Sequence, residues 1–407
     1  MNNALPTTIL LRNCRVVLPD RTADSCSLLI ENADIARILD PDSNQGGKAD
    51  SVIDLDGLTL FPGFIDLHIH GAIGTDMMDA GAVDLCRVAE FLARHGVTAW
   101  MPTLVPAADD QYAKAVNAIG QAVAQTAFGD ERTDQDHRLT SWPLARVLGV
   151  HYEGPFVNSE QCGALHREYF RTFKTPDDLN ALPRIENQGA VHMITIAPEI
   201  EGGIELIREL RRHGWIVSIG HTRATVEVLD QALHAGAHHM THFMNAMPPL
   251  HHRAPGPVGW GLTQDDVTCD LIADGIHLAP SILKLVLRSK SAERISLISD
   301  AIAATGLGDG EYQVWGERIQ VENGRTQNDR GSIAGSVITM LDAVRMMLSL
   351  GVSEPEVARM ASLNPARLLG VAADCGSIEE GKRADLVALD QIGNVRLAVI
   401  GGRTLRM

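Results

Sequence analysis

A (β/α)8 TIM-type barrel carrying a small β-sandwich domain built from both termini is the fold class that this 407-residue sequence predicts. Three observations predict it. Apolar strand-like runs alternate with amphipathic helical stretches through the middle of the chain, the pattern of a parallel sheet made of βα units. Short strands and turns, with little helical periodicity, occupy both ends. Five middle runs finish on a metal-type ligand or a catalytic-type acid: Phe64-Ile-Asp-Leu-His68-Ile-His70, Val150-His-Tyr-Glu153, Val217-Ser-Ile-Gly-His221, Met240-Thr-His242 and Leu297-Ile-Ser-Asp300. Groups so far apart in sequence meet only if the fold gathers strand ends at one place, as the C-terminal face of a barrel does.

In chain order, Thr8 to Leu18, Ser27 to Ile30 and Ser51 to Leu55 read as strands, and the same texture returns in Gly376 to Leu389 and Val395 to Ile400. The sandwich is therefore expected over 1–60 and 370–407, with the barrel over 61–369. Barrel strands are expected near 64–69, 97–101, 146–152, 191–196, 215–220, 237–242, 268–273 and 295–299. Pro280 to Arg288 is a good helix start after the seventh strand. After the eighth, Thr305-Gly-Leu-Gly-Asp-Gly310 leads to a hairpin-like insertion around 311–331 and a final helix near 336–350.

The length suits one large core with a smaller companion, and a hydrophobic share of 45% suits a well-buried globular protein. A formal net charge of -16 argues against non-specific binding to nucleic acid or to an anionic membrane surface. An anionic small substrate would need a local cationic pocket. Cys14, Cys26, Cys86, Cys162, Cys269 and Cys375 form no Cys-x-x-Cys pair, so reduced thiols in a cytoplasmic protein are expected. The start, Met1 to Thr8, lacks a basic segment followed by an apolar run, and no stretch approaches the roughly 18 apolar residues that span a bilayer.

Alternate residues of a strand share a face, so Asp66, His68 and His70 point to one side and the two imidazoles can approach one ion. A His-x-His taken alone is equally compatible with a structural role. Glu153 shares a face with His151, and burying its carboxylate costs on the order of several kcal/mol unless an ion or a donor compensates. His221 precedes Thr222, which can cap the next helix. His242 closes the histidine-rich His238-His-Met-Thr-His242, which holds several candidates. At the ends of strands one, three, five and six these groups read together as a metal site, and imidazole with carboxylate suits zinc or ferrous iron better than magnesium or calcium. Asp300 can be a helix N-cap, but beside an ion it can take a proton and later deliver it to a leaving group, and the second role is the one expected.

Pro62-Gly-Phe-Ile-Asp-Leu-His-Ile-His-Gly71, with a terminal Asp on strand eight, resembles the amidohydrolase superfamily. The finer motifs resemble its branch that deacetylates amino-sugar 6-phosphates: His151-Tyr-Glu-Gly-Pro-Phe156, Gly220-His-Thr222, Thr241-His-Phe-Met-Asn-Ala-Met247, His252-Arg-Ala-Pro-Gly256, Ile272-Ala-Asp-Gly-Ile-His277 and Gly331-Ser-Ile-Ala-Gly-Ser336. The resemblance implies that Glu153, His221 and His242 hold the main divalent metal and that Asp300 is the general base and then acid. It implies a second ion at His68 and His70, bridged by Glu153, in two-ion members, so that one or two ions are expected. The fourth strand, His192 to Pro198, offers no lysine, unlike the hydantoinase-like branch. Backbone N–H groups of Asn245 and Ala246 are implied to face the phosphate, with Arg253 reaching across a homodimer, His277 touching sugar or phosphate, and Ala164 and Ile333 beside the substrate. One departure stands out. Where many members carry a carbonyl-polarising histidine after Gly163-Ala164, this chain has Leu165, with His166 one residue later, so His166 takes the role only if the loop shifts. The implied reaction is hydrolysis of the acetamide of an N-acetylated hexosamine 6-phosphate, gluco or galacto. An acyl amino acid deacylase, which needs no phosphate, and a silent binding protein, which needs a broken ligand set, are the rivals.

Overall fold

Eight parallel strands, in chain order around a barrel, place every ligand-bearing segment at one rim. The computed structural model describes residues 8–40, 49–127 and 143–407, and segment 1–7, where a leader would begin, lies outside them. The barrel strands are Phe64–Ile69, Val97–Leu104, Gly149–Glu153, Val191–Ile196, Ile216–Ile219, His239–Met240, Thr268–Ile272 and Ile295–Ile298. Each pairs in parallel with the next. The ring closes at the top, where Asp300 N–H donates to His68 O at 2.9 Å and Ile69 bridges Ala301. The expected and observed strands agree in number and order.

Each run is buried on both faces, and apolar side chains fill most of that space. Ile65, Leu67, Ala99, Met101, Met193, Ile272 and Ile298 fill one apolar cluster, while Phe64, Trp100, Ile194, Val217 and Leu271 belong to the larger cluster shared with the helices. Burying a side chain of this size contributes roughly 1.5–3 kcal/mol. Helix Ala82–Arg94 buries Leu85, Cys86, Val88, Ala89 and Leu92, the spacing of one helical face.

Both termini build one eight-stranded mixed sheet, in which Leu386–Leu389 pairs antiparallel with Thr59–Pro62 and the latter runs parallel to Thr8–Val17. Leu11, Leu28, Ile30, Leu60, Leu386 and Val399 form its own core. Among the described residues no helix is long and apolar enough to cross a membrane.

Three local expectations change. The insertion is three-stranded, Gly310–Val314, Glu317–Glu322 and Arg325–Asn328, because the last of these adds to the expected hairpin by pairing antiparallel with Glu317–Glu322. The last helix starts at Met340 rather than near 336, since Ser336 N–H is held by Asp300 O at 2.7 Å, and Thr339 with Asp342 forms the capping box. Thr222 caps no helix. Its hydroxyl donates to Glu199 at 2.6 Å, and the helix begins at Val226 behind Thr225.

Candidate metal centre and substrate cavity

Glu153, at the end of the third strand, is the hub of the site. Its Oε1 lies 2.9 Å from the Nε2 atoms of both His221 and His242, which are 3.2 Å apart. Its Oε2 lies 3.3 Å from His70 Nε2, which is 3.0 Å from His68 Nε2. Asp300 Oδ1 completes the cluster at 3.5 and 3.3 Å from His68 and His70. Two groups of metal-type donors result, His68–His70–Glu153 and Glu153–His221–His242, all buried. Backbone geometry aims them: His221, His242 and Asp300 have φ of 47, 30 and 51°, left-handed turns at strand ends that swing the side chains over the barrel mouth. Gly220 lets His221 do so, because a Cβ there would lie 2.6 Å from Thr195 Cγ2.

The donor set fits a divalent ion. His221 Nδ1 meets Gln161 O at 2.7 Å and His70 Nδ1 meets Thr103 O at 3.2 Å, so each ring is anchored through Nδ1 on a carbonyl and aims Nε2 inward, where an ion would replace the proton that otherwise pairs it with Glu153. Buried lone pairs facing one another and a carboxylate call for a cation. Burial favours a neutral Glu153, but the charges of His221 and His68 and hydrogen bonds from His221 and His242 outweigh it and hold the carboxyl well below the usual range. Burial drives His68 well below the ordinary imidazole value. Burial also opposes charge on His70, yet hydrogen bonds to Asp300 and Glu153 raise it to about 10.

Beneath the ligands lies a second polar layer. His151 Nε2 meets Thr195 Oγ1 at 2.8 Å, Thr195 meets Thr241 at 2.7 Å, and Thr241 meets Ser218 at 2.5 Å. Burial lowers His151 to about 4, so it stays a neutral strut. Asp66 accepts from Ser299 Oγ at 2.5 Å and ties strand one to strand eight, with burial raising its carboxyl to about 7.

Above the ligands opens a cavity of about 300 Å³ lined by His70, Glu153, Ala164, Leu165, His221, His242, Asn245, Ala246, His277, Asp300, Trp315 and Ile333. Most sequence-derived site residues therefore converge. Two stand apart. His166 lines a neighbouring cavity, with Nδ1 3.3 Å from Glu168 and Nε2 4.0 Å from Glu317, while buried Leu165 takes the inward place. Arg253 sits in the exposed loop 248–255, outside this cavity's lining. Asn245 N–H closes a turn on His242 O at 2.9 Å, so that group is committed before any phosphate arrives.

Sequence reasoning missed Asp274 and Trp315. Asp274 Oδ2 holds His277 Nδ1 at 2.6 Å and Oδ1 accepts the N–H groups of Ile276 and His277, an arrangement that an aspartate three residues before a histidine could have signalled. Trp315 stands in the insertion and gave no periodic signal.

A closed parallel barrel whose rim gathers four histidines, a bridging glutamate and a terminal aspartate defines a metal-dependent amidohydrolase. The Amidohydrolase family model matches residues 59–405, and the chain belongs to that family of hydrolases. Among its relatives it is 38% identical over 354 residues to the N-acetylgalactosamine-6-phosphate deacetylase of Escherichia coli O157:H7, covering 87% of this chain and 89% of that one. It is 36% identical over 347 residues to the N-acetylglucosamine-6-phosphate deacetylase of Bacillus subtilis (strain 168), covering 84% and 83%. The crystal structure of N-acetylglucosamine-6-phosphate deacetylase from Pasteurella multocida superposes with a TM-score of 0.87 at 28% identity, over 98% of this chain and 100% of that one.

Proposed function

We propose that this enzyme hydrolyses the acetamide of N-acetyl-D-glucosamine 6-phosphate, giving D-glucosamine 6-phosphate and acetate. The observation that carries the reading is the convergence of Glu153, His221 and His242 with Asp300 in one cavity. A divalent ion, zinc or ferrous iron, bound there supplies Lewis acidity that polarises the acetyl carbonyl and makes water a better nucleophile at neutral pH. Glu153, His221 and His242 would hold it, and His68 and His70 with Glu153 would suit a second ion. Asp300 takes a proton from the attacking water as oxygen bonds to the carbonyl carbon, and gives that proton to the sugar nitrogen as the C–N bond breaks. One carboxylate serves both transfers, because the proton gained in the first is the proton lost in the second.

His277, steadied by Asp274, touches the sugar or phosphate, and Ala164 and Ile333 flank it. Ala246 and Asn245 lie at the phosphate end, where Arg253 from a second copy of the chain in a homodimer supplies the bidentate cation that an acidic protein must provide locally. The six cysteines are buried and none is in a disulfide, which suits a reducing cytoplasm.

The test is acetate release from N-acetylated hexosamines with and without the 6-phosphate, on metal-depleted enzyme reconstituted with zinc or iron. Turnover that needs both metal and phosphate supports the reading, and phosphate-independent turnover sinks it. The 38% identity to the N-acetylgalactosamine-6-phosphate deacetylase makes the galacto epimer the second reading, and a higher kcat/KM for that epimer would establish it.

A further inference from the structure

We propose that Trp315 sets the length of acyl chain this enzyme accepts, by walling the reaction cavity off from a second cavity that would otherwise admit a longer acyl group; the inference rests on the N-acylated hexosamine phosphate reading above. The second cavity, about 310 Å³, is lined by Asp76, Val105, Ala107, His166 and Tyr169, and among the described residues Trp315 alone lines both. The substrate's own geometry assigns the sides. In a 2-acylamino hexose 6-phosphate, C2 and C6 lie on opposite sides of the ring. With the phosphate end at Asn245, Ala246 and His277, after strands six and seven, and the scissile bond at Asp300, the acyl tail points away toward strand one. There it meets His70, Leu165 and Trp315. Buried Leu165 and the indole make that end apolar, as an acyl methyl requires.

The backbone supplies an independent observation. Trp315 and Gly316 form the two-residue turn between paired strands Gly310–Val314 and Glu317–Glu322, with φ of 53 and 75°. Such a turn favours Asn-Gly, and a bulky aromatic at its first position is disfavoured. The turn does not explain the ring. Nor does hydrogen bonding, since indole Nε1 is buried and has no partner among the described residues. The ring stands edge-to-face on the His70 imidazole, centroids 5.1 Å apart at 84°, which fixes it across the passage.

The test compares kcat/KM for N-acetyl, N-propanoyl and N-butanoyl hexosamine 6-phosphate in the wild type, Trp315→Asn and Trp315→Phe. The asparagine suits the turn and removes the wall. Because one methylene in a tight pocket is worth roughly 10–200-fold, the wild type should fall by at least about tenfold per added methylene. Trp315→Asn should lower the acetyl rate and raise the butanoyl rate, shrinking the acetyl-to-butanoyl ratio by about tenfold or more, while Trp315→Phe keeps the wild-type order. A purely structural role would depress all three substrates together. An unchanged ratio in folded Trp315→Asn overturns the inference alone. No acetate release from the wild type overturns the substrate reading and the inference with it. Should Trp315→Asn fail to fold, the same ratio measured on Trp315→Leu separates these outcomes, a shrunken ratio supporting the wall and an unchanged one overturning it.

Discussion

At the scale of single residues, Asp274 fixes a histidine that lines the cavity. It holds His277 by a 2.6 Å hydrogen bond, and a charged hydrogen bond of this kind is worth roughly 1.5–3 kcal/mol. Asp274→Asn should therefore raise KM by about tenfold with a smaller change in kcat; equal losses in both, together with a fall in Tm, would mark a structural role instead. The pH dependence follows in sign. Burial pushes the Asp274 carboxyl up, but the hydrogen bond and charge of His277, with two backbone N–H groups, depress it overall. The unfolded chain then binds the proton more readily, so Asp274 stabilises the fold above the ordinary carboxylate value of about 3.9 and ceases to do so as pH falls through its lower folded value. The Tm gap between wild type and Asp274→Asn should be present at about pH 5 and close as the pH falls further. The metal-type donors were legible in the sequence because period-two alternation and strand-end position are local properties. Trp315 was not, since its role depends on two cavities formed by loops distant in the chain.

At the scale of elements, the strand ends do the positioning, and their close fit is testable. Gly220 lies where a Cβ would be 2.6 Å from Thr195 Cγ2 and 3.2 Å from Thr241 Cβ, both within the hydrogen-bonded layer under the ligands. Gly220→Ala should cost about 1–3 kcal/mol by overpacking, read from denaturant unfolding, and should weaken metal binding by displacing His221; a variant with unchanged stability and metal content would show that the layer yields. All eight barrel strands were readable as apolar runs between turn signals. The insertion was readable only as a hairpin, because its third strand, Arg325–Asn328, is short and polar and is defined by its partner. The late start of the helix at Met340 was hidden for the same reason: Ser336 is still bound to Asp300 O.

At the scale of the whole molecule, the proposed metal and the proposed second copy of the chain each lead to a prediction. A ligand that binds only the folded state stabilises it by about 2.7 kcal/mol at a concentration 100 times Kd. Chelation should accordingly lower Tm, and zinc or iron should restore it; a Tm indifferent to metal would contradict the buried donor set. The role given to Arg253 predicts complementation. Asp300→Asn and Arg253→Ala subunits, each inactive alone, should regain activity when co-expressed, since one site of each mixed dimer holds Asp300 and an intact Arg253. No recovery would mean that Arg253 serves its own subunit. The sequence by itself determined the barrel, the two-ended sheet and the set of metal-type donors at the strand ends, because apolar runs and strand-end placement are written locally. Only the tertiary structure decided that Leu165 rather than His166 faces the cavity, that Asp274 steadies His277 and that Trp315 divides two cavities. Those outcomes depend on which loops meet above the barrel, and loops meet through contacts that no local pattern encodes.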